Sequence, residues 1–122
     1  MEVGDNFLIL NNSLCQNSYT KKIIYEKQDE LLEKLCEVLH ELKTVEKKKY
    51  FLKDLLGRGE RVMLVRRFRV AQLLEQGRTY QEIISAMRIS SATIARVERL
   101  LNFGRNGYRD AIAKVKNKKS QD

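Results

Sequence analysis

Residues 77–102 read GRTYQEIISAMRISSATIARVERLLN, and this pattern predicts two short helices joined by a tight turn. Thr79 is a good N-cap, because its hydroxyl can take a backbone N–H of the first turn, and Glu82 three residues on completes a capping box. Ile83, Ile84 and Met87 then give a short helix an apolar stripe at spacings of three and four. Arg88-Ile89-Ser90 makes the connection. Ser90 and Ser91 both suit the cap of a second helix, whose apolar positions are Ile94, Val97, Leu100 and Leu101. Between these lie Ser91, Ala92, Thr93 and Arg96, which are small or able to hydrogen-bond. A helix that packs along one edge and offers short polar groups plus an arginine elsewhere suits the DNA major groove. This is a helix-turn-helix pattern.

Two positions depart from that pattern. The turn position usually held by glycine is Arg88, and a non-glycine residue placed left-handed costs about 1–2 kcal/mol. Ile84 stands where a small residue often lets the helices approach. The competing structure is an ordinary helical hairpin.

Outward from this stretch, Val62 to Leu74 holds apolar residues nearly all round a predicted helix over about 60–76, as expected of a central and heavily buried element. Arg66, Arg67 and Arg69 interrupt it, and Gly77 closes it. Before it, Thr44 is expected to cap a helix from Val45, buried through Tyr50, Phe51, Leu52, Leu55 and Leu56, with Gly57 and Gly59 ending it. A helix beginning near Ile24 carries a broad face of Leu31, Leu32, Leu35, Val38, Leu39 and Leu42. Residues 1–23, rich in Asn and Ser, read as a flexible arm with a short apolar piece at Phe7 to Leu10. After Asn102, Gly104 and Gly107 mark a stop and a turn. A last helix over 110–119 follows, within a basic tail spanning 109–122. With no proline and no alternating apolar pattern, the expected class is all-α.

The charge is unevenly placed. The first sixty residues hold ten Lys/Arg against eleven Asp/Glu, and the rest hold fourteen against five, for a net charge of +8. The excess lies in the half that carries the helix-turn-helix, where counterion release from phosphates would make it useful. Neither Cys15 and Cys36 nor the Cys36/His40 pair makes a disulfide framework or a metal site. His40 has no nucleophile partner and no phosphate-binding glycine loop is present, so no enzyme is expected. No apolar run reaches the ~20 residues needed to cross a membrane, and no secretory signal is evident, so a cytoplasmic location is expected. The core of one subunit is thin, and a two-fold pair would place reading helices about 34–36 Å apart. Both arguments favour a homodimer with the 31–56 region as its interface.

Three blocks in series, LCEVLHELKTVEKKKYFLKDL, FRVAQLLEQGRTYQEI and SSATIARVERLLNFGRNGY, resemble the small Trp-repressor-like bacterial proteins of the Trp repressor superfamily. The likeness runs from Leu35 to Tyr108, about three-fifths of the chain. It implies a multi-helix domain over 24–108 in an intertwined homodimer, and a transcriptional regulator of double-stranded DNA. It also implies that Ser91, Ala92, Thr93 and Ala95 approach the operator, with Ala95 in place of a hydroxyl side chain. Two arginines that hold the family's tryptophan corepressor match Arg66 and Arg96. The glycine that admits the indole, just after the second arginine, is Val97 here. Its isopropyl group is expected to close the pocket, so no cofactor is expected, and Arg66 and Arg96 are then expected to make structural or phosphate contacts. Ser91, Thr93 and Arg96 are the expected base readers, and Arg78, Thr79, Gln81, Arg88 and Arg99 the expected phosphate contacts. The alternatives are an RNA-binding module or a protein-interaction adaptor on the same scaffold.

Overall fold

The computed structural model describes residues 18–121, and the described backbone is helical with no strand. Seven helices follow one another among these residues: α1 (Ser18–Glu26), α2 (Gln28–Glu41), α3 (Val45–Leu55), α4 (Arg58–Glu75), α5 (Tyr80–Met87), α6 (Ser91–Phe103) and α7 (Gly107–Gln121). The chain divides into two compact units, residues 1–51 and 52–122, with the boundary inside α3.

In the first unit α1 starts at Ser18, ahead of the onset expected near Ile24. The last residues of the expected 1–23 arm are therefore helical, while residues 1–17, Phe7 to Leu10 and Cys15 among them, lie outside the described residues. The chain turns at Lys27 rather than running on as one helix. Thr44 starts α3 as expected, its Oγ1 accepting the Lys47 N–H at 3.2 Å. No residue of α2 or α3 is buried. Leu31, Leu35, Leu39 and Leu42 are half-buried, and Leu32, Val38, Val45 and Tyr50 are exposed. The expected burial of Tyr50 and Leu55 is corrected, because nothing among the described residues covers that face.

The second unit is built around eight buried residues. Val70 and Ala71 come from α4, Ile83 from α5, Ile89 from the turn, Ile94, Val97 and Leu101 from α6, and Ile112 from α7. Phe68, Leu73, Leu74, Tyr80, Ile84, Met87 and Tyr108 pack around them. Burying such side chains contributes about 1.5–3 kcal/mol each. The heavily buried central helix is only half realised. The second half of α4 carries the core, while Val62, Leu64 and Val65 in its first half are 45%, 48% and 69% exposed. All-round apolarity gave no indication of which face would find a neighbour.

Helix ends are settled largely by hydrogen bonds to orphan backbone groups. Gly57 and Gly59 do not end α3. Gly57 stands before α4, its N–H donating to Glu60 Oε2 at 2.7 Å, and Gly59 lies within the helix. The last turn of α3 is closed by Arg61, whose Nη1 donates to the carbonyls of Leu56 at 2.7 Å and Lys53 at 2.9 Å. Gly77 closes α4 as expected, at φ 82°. Its N–H bonds Leu74 O and the Arg78 N–H bonds Leu73 O, both at 3.0 Å, which is the doubly bonded left-handed helix stop that favours glycine. Gly104 is the C-cap of α6, and a Cβ there would collide with the Leu100 carbonyl oxygen. The expected tail over 109–122 is helical through Gln121 and starts at Gly107. It sends Ile112, 4% exposed, into the core, so its anchored part belongs to this unit.

Candidate nucleic-acid interface

The turn region follows the capping chemistry of its sequence. Thr79 Oγ1 accepts the Glu82 N–H at 3.2 Å, and Glu82 Oε2 accepts the Thr79 N–H at 2.9 Å. Helix α5 then buries Ile83 and ends at Arg88, which is left-handed at φ 50° and ψ 51°. The glycine-like conformation is thus adopted by an arginine. Its N–H still bonds Ile84 O at 2.8 Å. Ile89 plugs the turn into the core at 7% exposure.

Of the two serines that could cap α6, Ser90 does so and Ser91 is the first helical residue. Ser90 Oγ accepts the Thr93 N–H at 3.3 Å and lies 2.9 Å from Thr93 Oγ1. The helix buries Ile94, Val97 and Leu101. Leu100, expected on that face, is 42% exposed. Since Val97 and Leu101 already fill the seam, Leu100 is left on its margin.

The opposite side of α6 presents Ser91, Ala92, Ala95, Arg96 and Arg99, all exposed, with Thr93 half-buried beside its cap. Ala92, Ala95, Arg96, Arg99 and Leu100 line a shallow hollow of about 450 Å³. The alanines keep it open, and the two guanidiniums flank it. Among the described residues, the side chains of Ser91, Arg96 and Arg99 make no hydrogen bond or ion pair. Arg78, Thr79, Gln81 and Arg88 are exposed as well. Arg78 lines a second hollow of about 220 Å³ with Leu73, Glu82, Ile83 and Ala86. Thr79 uses one oxygen lone pair for the cap, and a hydroxyl that accepts can still donate.

The two expected effector-pocket residues have different surroundings. Arg96 flanks the hollow on α6. Arg66 is half-buried, and its Nη2 donates to the Met87 carbonyl oxygen at 2.7 Å. Val97, at 2% exposure, is part of the core.

Two contacts were not anticipated. Tyr80 on α5 faces Glu98 on α6, and its phenol is held above the usual tyrosine range by desolvation first, then by the charge and hydrogen bond of Glu98. Arg109 joins three elements through Leu101 O, Asn102 Oδ1 and Glu75 Oε2, at 3.0, 3.0 and 3.1 Å. An arginine in the first turn of a helix that follows a glycine stop is a weak sequence signal. Its partner Glu75 lies 34 residues away.

Comparison with known proteins agrees with this architecture. The family model described as Trp repressor protein matches residues 30–116. The uncharacterized protein YerC of Bacillus subtilis (strain 168) is 38% identical over 85 residues, covering 70% of this chain and 82% of the relative. The crystal structure of a TrpR-like protein from Eubacterium eligens ATCC 27750 superposes with a TM-score of 0.68 at 32% identity, covering 75% of this chain and 94% of that one. The chain thus belongs to the Trp repressor family of DNA-binding regulators.

Proposed function

We propose that this protein is a sequence-specific transcriptional regulator, a repressor by steric occlusion, that binds double-stranded DNA as a homodimer through α6. One observation carries the reading. A helix anchored by Ile94, Val97 and Leu101 turns outward a face on which Ser91, Arg96 and Arg99 have no partner among the described residues. An arginine can meet guanine O6 and N7 together, and short polar or methyl-bearing side chains suit neighbouring bases. Ser91, Thr93 and Arg96 read base edges. Arg78, Thr79, Gln81, Arg88 and Arg99 hold the phosphate backbone and so fix register. The protein works in the cytoplasm and is not an enzyme.

Pairing is supported by the apolar residues left exposed on α2 and α3, such as Leu32, Val38, Tyr50 and Leu55. An uncovered stripe of this kind favours burial against a second copy, and a two-fold pair matches the symmetry of a palindromic site. Tryptophan is not the effector, because Val97 occupies core space where the family's pocket needs a glycine. The test is a salt titration of binding to duplex DNA and to structured RNA. Tighter binding to duplex, with a steep salt slope, supports the reading. Preference for RNA would overturn it.

A further inference from the structure

We propose that Arg66 is a positioning residue for DNA reading, acting from α4 on the turn between α5 and α6 without touching DNA. The inference rests on the proposed reading by α6. It starts from the backbone of α5, which has only eight residues and leaves its last carbonyls without helical partners. Arg88 N–H takes the Ile84 carbonyl at 2.8 Å. The Met87 carbonyl, at the very end, is taken by Arg66 Nη2 at 2.7 Å, across a sequence distance of 21 residues. A guanidinium at a helix C-terminus is also favoured by the helix dipole.

That carbonyl matters because the link to α6 is so short. Arg88, Ile89 and Ser90 are its only residues, and each is already committed. Arg88 is left-handed, Ile89 is buried, and Ser90 caps α6. With no slack in the link, the place of Met87 O sets where α6 begins and which way it points. Arg66 ties that point to the well-packed half of α4. Val70, one helical turn further along, is fully buried.

The position that resemblance gives to an effector contact is therefore spent on the protein's own backbone. With Val97 filling the neighbouring core, the chain holds its reading helix in place unaided. Specific binding should then need no small molecule.

The test compares wild type, Arg66→Met and Arg66→Lys without any added ligand. The readouts are the ratio of specific to random duplex affinity and the salt slope, with circular dichroism to confirm folding. Wild type should discriminate unaided. Arg66→Met should lose about tenfold in the ratio, as expected for a charge-assisted hydrogen bond, while random-duplex affinity and the salt slope stay at wild-type values. Should Arg66→Met fail to fold, Arg66→Lys, which keeps the charge on a shorter reach, should show the same loss at an unchanged slope. An unchanged ratio in the folded variant overturns the inference. A slope reduced by about 0.9 also overturns it, because Arg66 would then itself hold a phosphate. Wild type that discriminates no duplex defeats the DNA-reading account, whereas wild-type discrimination with unaltered variants defeats only the role of Arg66.

Discussion

Arg109 donates through Nε to the Leu101 carbonyl oxygen at 3.0 Å, closing the C-terminal end of α6 from the first turn of α7. Arg61 does the same for α3 and Arg66 for α5. Three arginines of the basic half thus serve helix ends, whereas Arg96 and Arg99 on the outer face of α6 have no partner among the described residues. On the proposed reading the charge excess then has two uses, closing helix ends and holding phosphates.

Replacing Arg109 separates its contributions. The ion pair with Glu75 is partly exposed, with side chains 43% and 33% accessible, and such pairs contribute about 1 kcal/mol at most. The bond to Leu101 O is partly buried and charge-assisted, worth about 1.5–3 kcal/mol. Arg109→Ala is expected to lower stability by about 2 kcal/mol, and Glu75→Ala by under about 1 kcal/mol. Urea titrations followed by circular dichroism measure both. Equal losses would mean that the ion pair dominates.

Arg88 at φ 50° invites a substitution that destabilises a helix interior but suits a left-handed helix end. Arg88→Gly relieves left-handed strain of about 1–2 kcal/mol and gives back about 0.5–1 kcal/mol in unfolded-state entropy. A net gain of about 0.5–1 kcal/mol in the urea midpoint energy is expected. Salt-dependent DNA binding should lose about one phosphate contact from its slope. A stability loss would show that the Arg88 side chain does more for the turn than its backbone costs.

Val97 is 2% exposed and shares the core with Ile94 and Leu101. Val97→Ala should cost about 2 kcal/mol through lost burial and the cavity left behind. Tryptophan in excess should leave the wild-type melting temperature unchanged, since any ligand selective for the folded state would raise it. A saturable rise in a thermal shift assay contradicts the closed pocket.

Tyr80 and Glu98 predict an alkaline effect. The phenol of Tyr80 is raised by desolvation and by Glu98, so folding favours its protonated form. The stabilisation is full below the unfolded phenol value of about 10 and is lost as pH rises through the higher folded value. The phenolate absorbance difference between wild type and Tyr80→Phe should titrate above that unfolded value. Glu98→Gln should bring the midpoint down. A midpoint unmoved by Glu98→Gln would leave desolvation as the whole cause.

Local chemistry was legible in the sequence wherever both partners lie within a few residues. Thr79 with Glu82, Ser90 before α6, Thr44 before α3 and the stop at Gly77 all follow from donors and acceptors one turn apart. Ile83, Ile94 and Val97 follow from periodicity. Contacts across elements were not legible. With Val97 closing the pocket, Arg66 is expected to make a structural or phosphate contact, but no spacing rule connects it with Met87, and Arg109 gives no sign of Glu75. The apolar pattern of α4 likewise says that much could be buried but not which half would be, and Val65 stays 69% exposed.

Selection of bound duplexes from a random pool, at roughly physiological salt because affinity depends on it, tests the central claim most directly. Wild type should enrich a near-palindrome with half-sites about one helical turn apart. The double variant Thr93→Ala, Arg96→Ala should remain dimeric yet enrich nothing. A wild-type pool that stays random, or a double variant that enriches the same site, would contradict the assignment of α6 as the reading helix.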